Sequence, residues 1–484
     1  MQSTSKRAQN GIIWSSIEKF SVQFVQFFIS VIIARILSPN EFGLIAIVLA
    51  IINIFSVVNE TGFGAALMQK LDRDDLDFST VFILNVILGL LLYLIVFIVS
   101  PYIAIFFKQP QLQILIRTLG IILIINSFSV VQRTILIINV DFKSQAKASF
   151  PSNIISGIIA IIFAKAYCNA WALVIQVIIS NLINTSLIWF FSKWRPHLNF
   201  SVVRIKPFFH FAYKLILARL IHTIFTQIYS IVIGRYFSTA QLGFFNRAKS
   251  IESLTSNNIT AIIQRVSTPL LCEVQSDKKA LGNMMIKFIV SSALIIYPLL
   301  FGLFTLANPL INILLTDKWA PAVPILRWLC PVGLLFVINT FNLNIFNATG
   351  KTGLALKNEI IKKIVCLIII VVSIPFGFKA IIISQLITSL VELIINSYFT
   401  NKQIGINLFQ QLWSLKGVFL ASLIMALIVF LVTSIISSNI LKLLIGSILG
   451  LSVYACICWF FNVSFFKEIF ISTFHKYFRK YNNL

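Results

Sequence analysis

The sequence predicts an all-α membrane protein of about fourteen transmembrane helices, two parallel-repeat six-helix lobes followed by a C-terminal helix pair. Three observations predict it. Of 484 residues, 58% are hydrophobic and only 11% charged, with a mean hydropathy of +0.94. Lipid must therefore be the solvent for most of the chain. Apolar stretches of bilayer-spanning length recur from end to end. Residues 30–43 also return at 230–243, with Ser30, Arg35, Ser38 and Gly43 recurring as Ser230, Arg235, Ser238 and Gly243 among apolar neighbours.

A helix crosses the hydrocarbon in about 20 residues. At that length the spans are 12–36, 42–59, 78–99, 113–138, 150–167, 171–191, 208–235, 243–268, 284–306, 323–347, 356–376, 379–399, 415–436 and 440–461. The start, Met1–Arg7, leads into a long apolar helix without a small-residue cleavage pattern, so it reads as a first span and not a cleaved signal. Pro39, Pro101, Pro110, Pro196, Pro321 and Pro375 fall at or near segment ends, and Pro269, Pro298, Pro309 and Pro331 within or beside spans as kinks. No loop exceeds about 25 residues, which leaves no room for a soluble catalytic domain.

Net charge is +24. The basic residues sit mostly between apolar stretches, so they point to anionic lipid headgroups and orientation, not to nucleic acid. With the N-terminus inside, the cytoplasmic side receives Lys6, Arg7, Lys70, Arg73, Lys143, Lys147, Lys193, Arg195, Arg204 and Lys206, and later Lys467, Lys476, Arg479 and Lys480. The opposite side receives roughly half as many, which places both termini in the cytoplasm. Six spans separate the two repeat copies. An even number returns the chain to the same side, so the copies are parallel, with a pseudo-twofold axis along the membrane normal. The expected division is an N-lobe at 1–199, a C-lobe at 200–404 and C-terminal helices with a basic tail at 405–484. The basic stretch Ser192–Pro207 is the cytoplasmic linker.

Metal and redox chemistry find little support. The six cysteines form no CxxC pair and the four histidines no HExxH spacing. No cofactor is expected beyond a coupling ion, H+ or Na+.

The first helix carries Ser16, Lys19, Gln23, Gln26 and Ser30 at steps of three and four, which share one helical face. Two hundred positions on stand Arg219, Thr223, Thr226 and Ser230. The second helix shows Asn53 and Glu60, and the eighth Asn246, Arg247, Ser253 and Asn257. A polar face toward lipid is costly, so these four helices are expected to turn toward a shared, hydrogen-bonding, net-cationic interior. Arg35 and Arg235 near the outer helix ends are further candidates. The bland reading is that the hydroxyls bond their own backbone and that Lys19 snorkels. Of the intramembrane acids Glu18, Glu60, Glu252 and Glu392, Glu60 and Glu392 are candidates for ion coupling, with internal salt bridges the alternative.

Further motifs carry a resemblance. They are Ala34-Arg35-x-Leu37-Ser38-Pro39-x-Glu41-Phe42-Gly43, Gly62-Phe63-Gly64-Ala65-Ala66-Leu67-x-Gln69, Asp77-x-Ser79-Thr80-Val81-Phe82-x-Leu84-Asn85, Ser192-x-Trp194-Arg195-Pro196 and Lys318-Trp319-Ala320-Pro321-Ala322. With them the chain resembles, over roughly residues 5–400, the polysaccharide-transporter branch of the multidrug/oligosaccharidyl-lipid/polysaccharide (MOP) flippases, nearest its Wzx-type colanic and teichuronic acid exporters. The resemblance implies MATE-like lobes around a central cavity, no enzymatic activity, and a location in the bacterial cytoplasmic membrane. The implied substrate is an undecaprenyl-pyrophosphate-linked oligosaccharide flipped by alternating access, with other polysaccharide assembly proteins as partners. Three alternatives stand beside it. A drug antiporter of the same superfamily should show acidic cavity residues, where this chain shows bases. A glycan polymerase or ligase usually needs a long outer loop. A major-facilitator transporter should carry a Gly-rich basic motif, which 70–77 lacks.

Overall fold

A computed structural model describes residues 2–197 and 199–460. The basic tail with Lys467, Lys476, Arg479 and Lys480 lies outside the described residues, as does the side chain of Ser16. Among the described residues the regular structure is helical: α1 (Gln2–Ile36), α2 (Pro39–Gln69), α3 (Asp75–Phe106), α4 (Gln111–Ser127), α5 (Val130–Ile138), α6 (Phe142–Tyr167), α7 (Trp171–Ser192), α8 (Val202–Tyr236), α9 (Thr239–Glu273), α10 (Lys278–Thr305), α11 (Ala307–Leu315), α12 (Ala322–Ala348), α13 (Thr352–Ser373), α14 (Phe378–Ile404), α15 (Leu408–Ser414), α16 (Lys416–Ile435) and α17 (Asn439–Phe460).

Within the described residues helix runs through all fourteen predicted segments, interrupted in the fourth between α4 and α5. Among the described residues eleven helices are long and apolar enough to cross a membrane, or twelve if the α4–α5 pair, bent by 43°, is one span. The predicted spans in α9 and α13 are less apolar than these. In α9 a polar face dilutes the apolar one, and α13 carries Lys357, Glu359, Lys362 and Lys363. Pro101 also lies inside α3, where an end was expected; membrane helices accommodate such a residue because neighbours satisfy the freed carbonyl.

The chain divides into two compact units, 1–243 and 244–484. In the first, α1 packs on α6, α6 on α7, α3 on α4, and α2 along α8. The recurring residues of the repeat now have a local cause. Ser38 caps α2, its Oγ accepting the Glu41 N–H at 3.4 Å, with Pro39 in the first helical position. Ser238 does the same for α9, accepting the Gln241 N–H at 3.2 Å. The glycines are required by close approach. A Cβ on Gly43 would strike the Thr239 carbonyl, and a Cβ on Gly243 the Pro39 carbonyl. All four residues belong to the first unit.

The predicted linker is shorter than expected, because α8 begins at Val202 and takes its last six residues. What remains is pinned to the start of α3. The His197 N–H donates to Ser79 Oγ at 3.1 Å, and the Ser201 N–H to Thr80 Oγ1 at 3.3 Å. Asp74 and Asp77 close a capping box at that start. The buried carboxylate of Asp77 also takes Lys70 Nζ at 2.6 Å and Arg204 at 3.0 Å. Arg204 pairs with Asp74 as well, and this guanidinium holds the Asp74 carboxyl down at about 2. Asp77→Asn keeps the shape and removes the charge. It is expected to lower stability by about 1.5 kcal/mol, the loss of charge-assisted bonds to partly exposed cations, read as thermal unfolding in detergent.

The second unit is built on α10, which packs against α12 and α16. Its core includes Met285, Ile289, Leu300, Phe341, Val418 and Met425. The C-terminal pair joins it through α16 and through Tyr454 of α17, whose hydroxyl donates to the Leu294 carbonyl at 2.9 Å. A buried amide network fixes α12, α13, α14 and α15. Asn358 donates to Asn396 and Asn396 to Asn339, each at 2.8 Å, and Asn342 donates to Gln411 at 2.8 Å. In an apolar surrounding such amides hold one register, because a slipped helix would leave them unpaired.

Candidate functional site

Polar side chains of the first unit gather near the break between α4 and α5. Where the helix ladder fails, side chains from neighbours take the freed carbonyls. Asn59 Nδ2 donates to Leu123 O at 2.9 Å, and Trp189 Nε1 to Phe128 O at 2.7 Å. The bend leaves Asn126 and Arg133 in a polar seam. Asn126 donates to the Glu60 carboxylate at 3.0 Å. Arg133 donates to Asn184 Oδ1 at 3.0 Å, Asn184 Nδ2 to Ser149 Oγ at 3.3 Å, and Ser149 Oγ to the Glu18 carboxylate at 2.8 Å. Above them Gln26 Nε2 donates to Asn153 Oδ1 at 2.8 Å. Six helices, α1, α2, α4, α5, α6 and α7, thus contribute polar side chains to three hydrogen-bonded groups: Glu60 with Asn126, Glu18–Ser149–Asn184–Arg133, and Gln26 with Asn153.

The structure brings two of the predicted residues, Gln26 and Glu60, into this seam, and treats the others differently. Lys19 and Arg219 are exposed. Each stands seventeen residues before the end of its helix, Ile36 or Tyr236, about 26 Å down the axis. Gln23 and Thr223 are half-buried and Asn53 is exposed. Ser30 and Thr226 bond their own helices, donating to Phe27 O at 2.8 Å and His222 O at 2.9 Å. Ser230 is buried. Arg35 and Arg235 occupy the last turns of α1 and α8, and the Arg235 guanidinium lies 5.0 Å from the Phe106 ring centroid. In the second unit Asn246 and Ser253 are half-buried and Asn257 exposed, with Ser253 donating to Ser250 O at 3.1 Å. Arg247 is buried, its guanidinium 5.8 Å from the Trp319 ring centroid. Glu392 is half-buried on α14 beside Lys362 and Lys363 of α13, and Lys362 pairs with Glu359.

Sequence reasoning missed Asn126, Arg133, Ser149, Asn153 and Asn184. Their signal was present: Ser149 and Asn153 are four apart, and Asn181 and Asn184 three. These helices lie outside the best-matched part of the repeat, where polar residues were not sought.

The structure is similar to the lipid II flippase MurJ in its inward closed conformation, with a TM-score of 0.77 over 93% of this chain and 98% of that one, at 16% identity. It is also similar to an inward-facing multidrug resistance MATE family transporter, with a TM-score of 0.64 over 81% and 98%, at 17% identity. The family described as "Polysaccharide biosynthesis protein" matches residues 32–324, and the chain belongs to it. Its relatives include the teichuronic acid biosynthesis protein TuaB of Bacillus subtilis, 28% identical over 73% of this chain and 74% of that protein. The lipopolysaccharide biosynthesis protein WzxC of Escherichia coli is 23% identical over 74% of each, and the succinoglycan biosynthesis transport protein ExoT of Rhizobium meliloti 24% identical over 70% and 68%.

Proposed function

We propose that this protein is a flippase for a lipid-linked oligosaccharide, moving an undecaprenyl-pyrophosphate-linked repeat unit from the cytoplasmic to the outer leaflet by alternating access, without chemical conversion. The polar and basic side chains of the first unit carry this reading. A pyrophosphate bears about two negative charges and does not cross hydrocarbon unaided, while Lys and Arg meet it with charge-assisted bonds. Lys19, Arg133 and Arg219 supply cations, and amides and hydroxyls supply the weak donors and acceptors that sugars need. The family, the relatives named for polysaccharide biosynthesis and transport, and the flippase fold support the same substrate class. The candidate residues Gln23, Gln26, Asn53, Thr223, Thr226, Asn246, Ser253 and Asn257 are proposed for sugar contacts. Glu60, held by a neutral amide, and Glu392 are proposed for coupling to H+ or Na+. The membrane is the bacterial cytoplasmic one, with other assembly proteins acting on the same glycan, and the lobes are proposed at 1–199 and 200–404.

Two measurements test this. Expression in a host deleted for its own oligosaccharide flippase should restore surface glycan, and purified protein in vesicles should expose a fluorescent lipid-linked oligosaccharide on the far leaflet. Failure of both defeats the proposal. Reporters fused after Lys206 and at Leu484 should both read cytoplasmic; an external reading at either point overturns the orientation.

A further inference from the structure

Arg327 stands at the rim of a groove on the second unit that the transport reading does not use. The groove has a volume of about 580 Å3 and lies between α10, α12 and α16, lined by Phe304, Leu334, Phe419, Leu427 and Phe430 among other apolar side chains. Its volume falls within the range of about 300–1,000 Å3 typical of small-molecule sites. Phe419, Leu427 and Phe430 are exposed, so the groove opens on the surface of the unit. Arg327 brings the only formal charge among its lining residues.

The guanidinium is fixed but not neutralised. Nε donates to the Phe304 carbonyl at 3.3 Å, and the group sits 5.9 Å from the Phe304 ring centroid. No described carboxylate forms an ion pair with it; the buried Glu252 lies against Gly333, deeper in the same unit. Among the described residues no hydrogen bond holds its two NH2 groups, and Arg327 lines an apolar trough. Arg327 is five residues into α12, about 7.5 Å from its start, and Trp328 beside it is exposed, as side chains at a headgroup boundary are.

The first unit carries a similar arrangement at Arg117. Arg117 Nε reaches the Phe97 carbonyl at 3.4 Å, with the guanidinium 4.1 Å from the Phe97 ring centroid. There, however, Nε also donates to Ser100 Oγ at 2.9 Å. The helix that walls the groove, α16, packs on α10, α15 and α17, and the first unit has no counterpart to it among the described residues.

We propose that this groove binds an anionic glycerophospholipid of the surrounding membrane, with an acyl chain along α16 and the headgroup phosphate on the NH2 groups of Arg327. An apolar trough with one planar, permanently charged fork at its mouth matches a chain that ends in a phosphate. A zwitterionic lipid would fit the trough but bring its own cation toward the arginine. The site is independent of flipping, and its test does not involve transport.

The test is native mass spectrometry of the full-length protein in detergent with equimolar phosphatidylglycerol and phosphatidylcholine of the same chains. The first lipid adduct should favour phosphatidylglycerol about tenfold, as expected of one charge-assisted contact. Arg327→Gln should bring that preference close to unity, whereas Arg117→Gln should leave it. Ala426→Phe, which fills the trough without touching the cation, should lower the occupancy of both lipids and provides an arm that does not depend on the Arg327 variant folding. The proposal is overturned by a wild-type protein that takes both lipids equally, by Arg327→Gln with its preference intact, or by Ala426→Phe with normal occupancy.

Discussion

Replacing Lys19 and Arg219 together by alanine is expected to abolish surface glycan in a host that depends on this protein, while its level in the membrane stays normal. Both side chains are exposed on helices of the first unit, and both stand at the same distance from the ends of their helices. Among the described residues no ion pair holds either of them, so both cations are available to a ligand. Each single change to alanine should remove a charge-assisted interaction of about 1.5–3 kcal/mol, and the pair should act together because both are proposed to meet one pyrophosphate. Lys19→Arg should retain more output than Lys19→Gln, since the charge and not the length is what matters. Full glycan output from the double variant at native expression would sink the idea and return both residues to snorkelling toward headgroups.

A side chain at Gly43 should cost more stability than any surface substitution. Its Cβ would meet the backbone carbonyl of Thr239, which cannot swing aside as a side chain can. Gly43→Val is therefore expected to destabilise by about 3 kcal/mol, the upper part of the range for overpacking. Gly243→Val, which meets the Pro39 carbonyl, should behave alike. Gly302 is also helical but has nothing within 4 Å of an added Cβ, so Gly302→Val is the control. Thermal unfolding in detergent reads all three. If Gly43→Val melts with the control, the close approach is not a constraint.

Much of this was legible in the sequence because membrane solvation leaves few options. Apolar runs of bilayer length had to be helices, and all of those predicted are helices. The repeat was legible down to its caps, since Ser38 and Ser238 recur for the same backbone bond. Three things were not legible. The bend at Phe128 carries no proline or glycine, and its cause lies in Asn59 and Trp189, far away in sequence. The seam partners of Glu18 and Glu60 are likewise distant, and a stripe read along one helix cannot reveal that Ser149 or Asn126 completes it. The third is the polar burial in α9 and α13: Ser256, Thr260, Asn358 and Lys362 are buried, and composition alone does not register that burial.

The packing of α8 along α2 has an implication for how such a chain could arise or be divided. The repeat assigns α8 to the second copy, yet it is housed with the first, held there by a connection whose middle is pinned at His197 and Ser201. A gene cut at the duplication boundary would give one fragment missing the partner of its longest apolar flank and another starting with an orphan helix. Joined, the nine residues between α7 and α8 keep that helix at a high local concentration beside its seat, as a short tether does. Fusion of the duplicated halves is then what makes assembly first-order, and a two-chain version of this protein would need each half to be abundant before either could be complete.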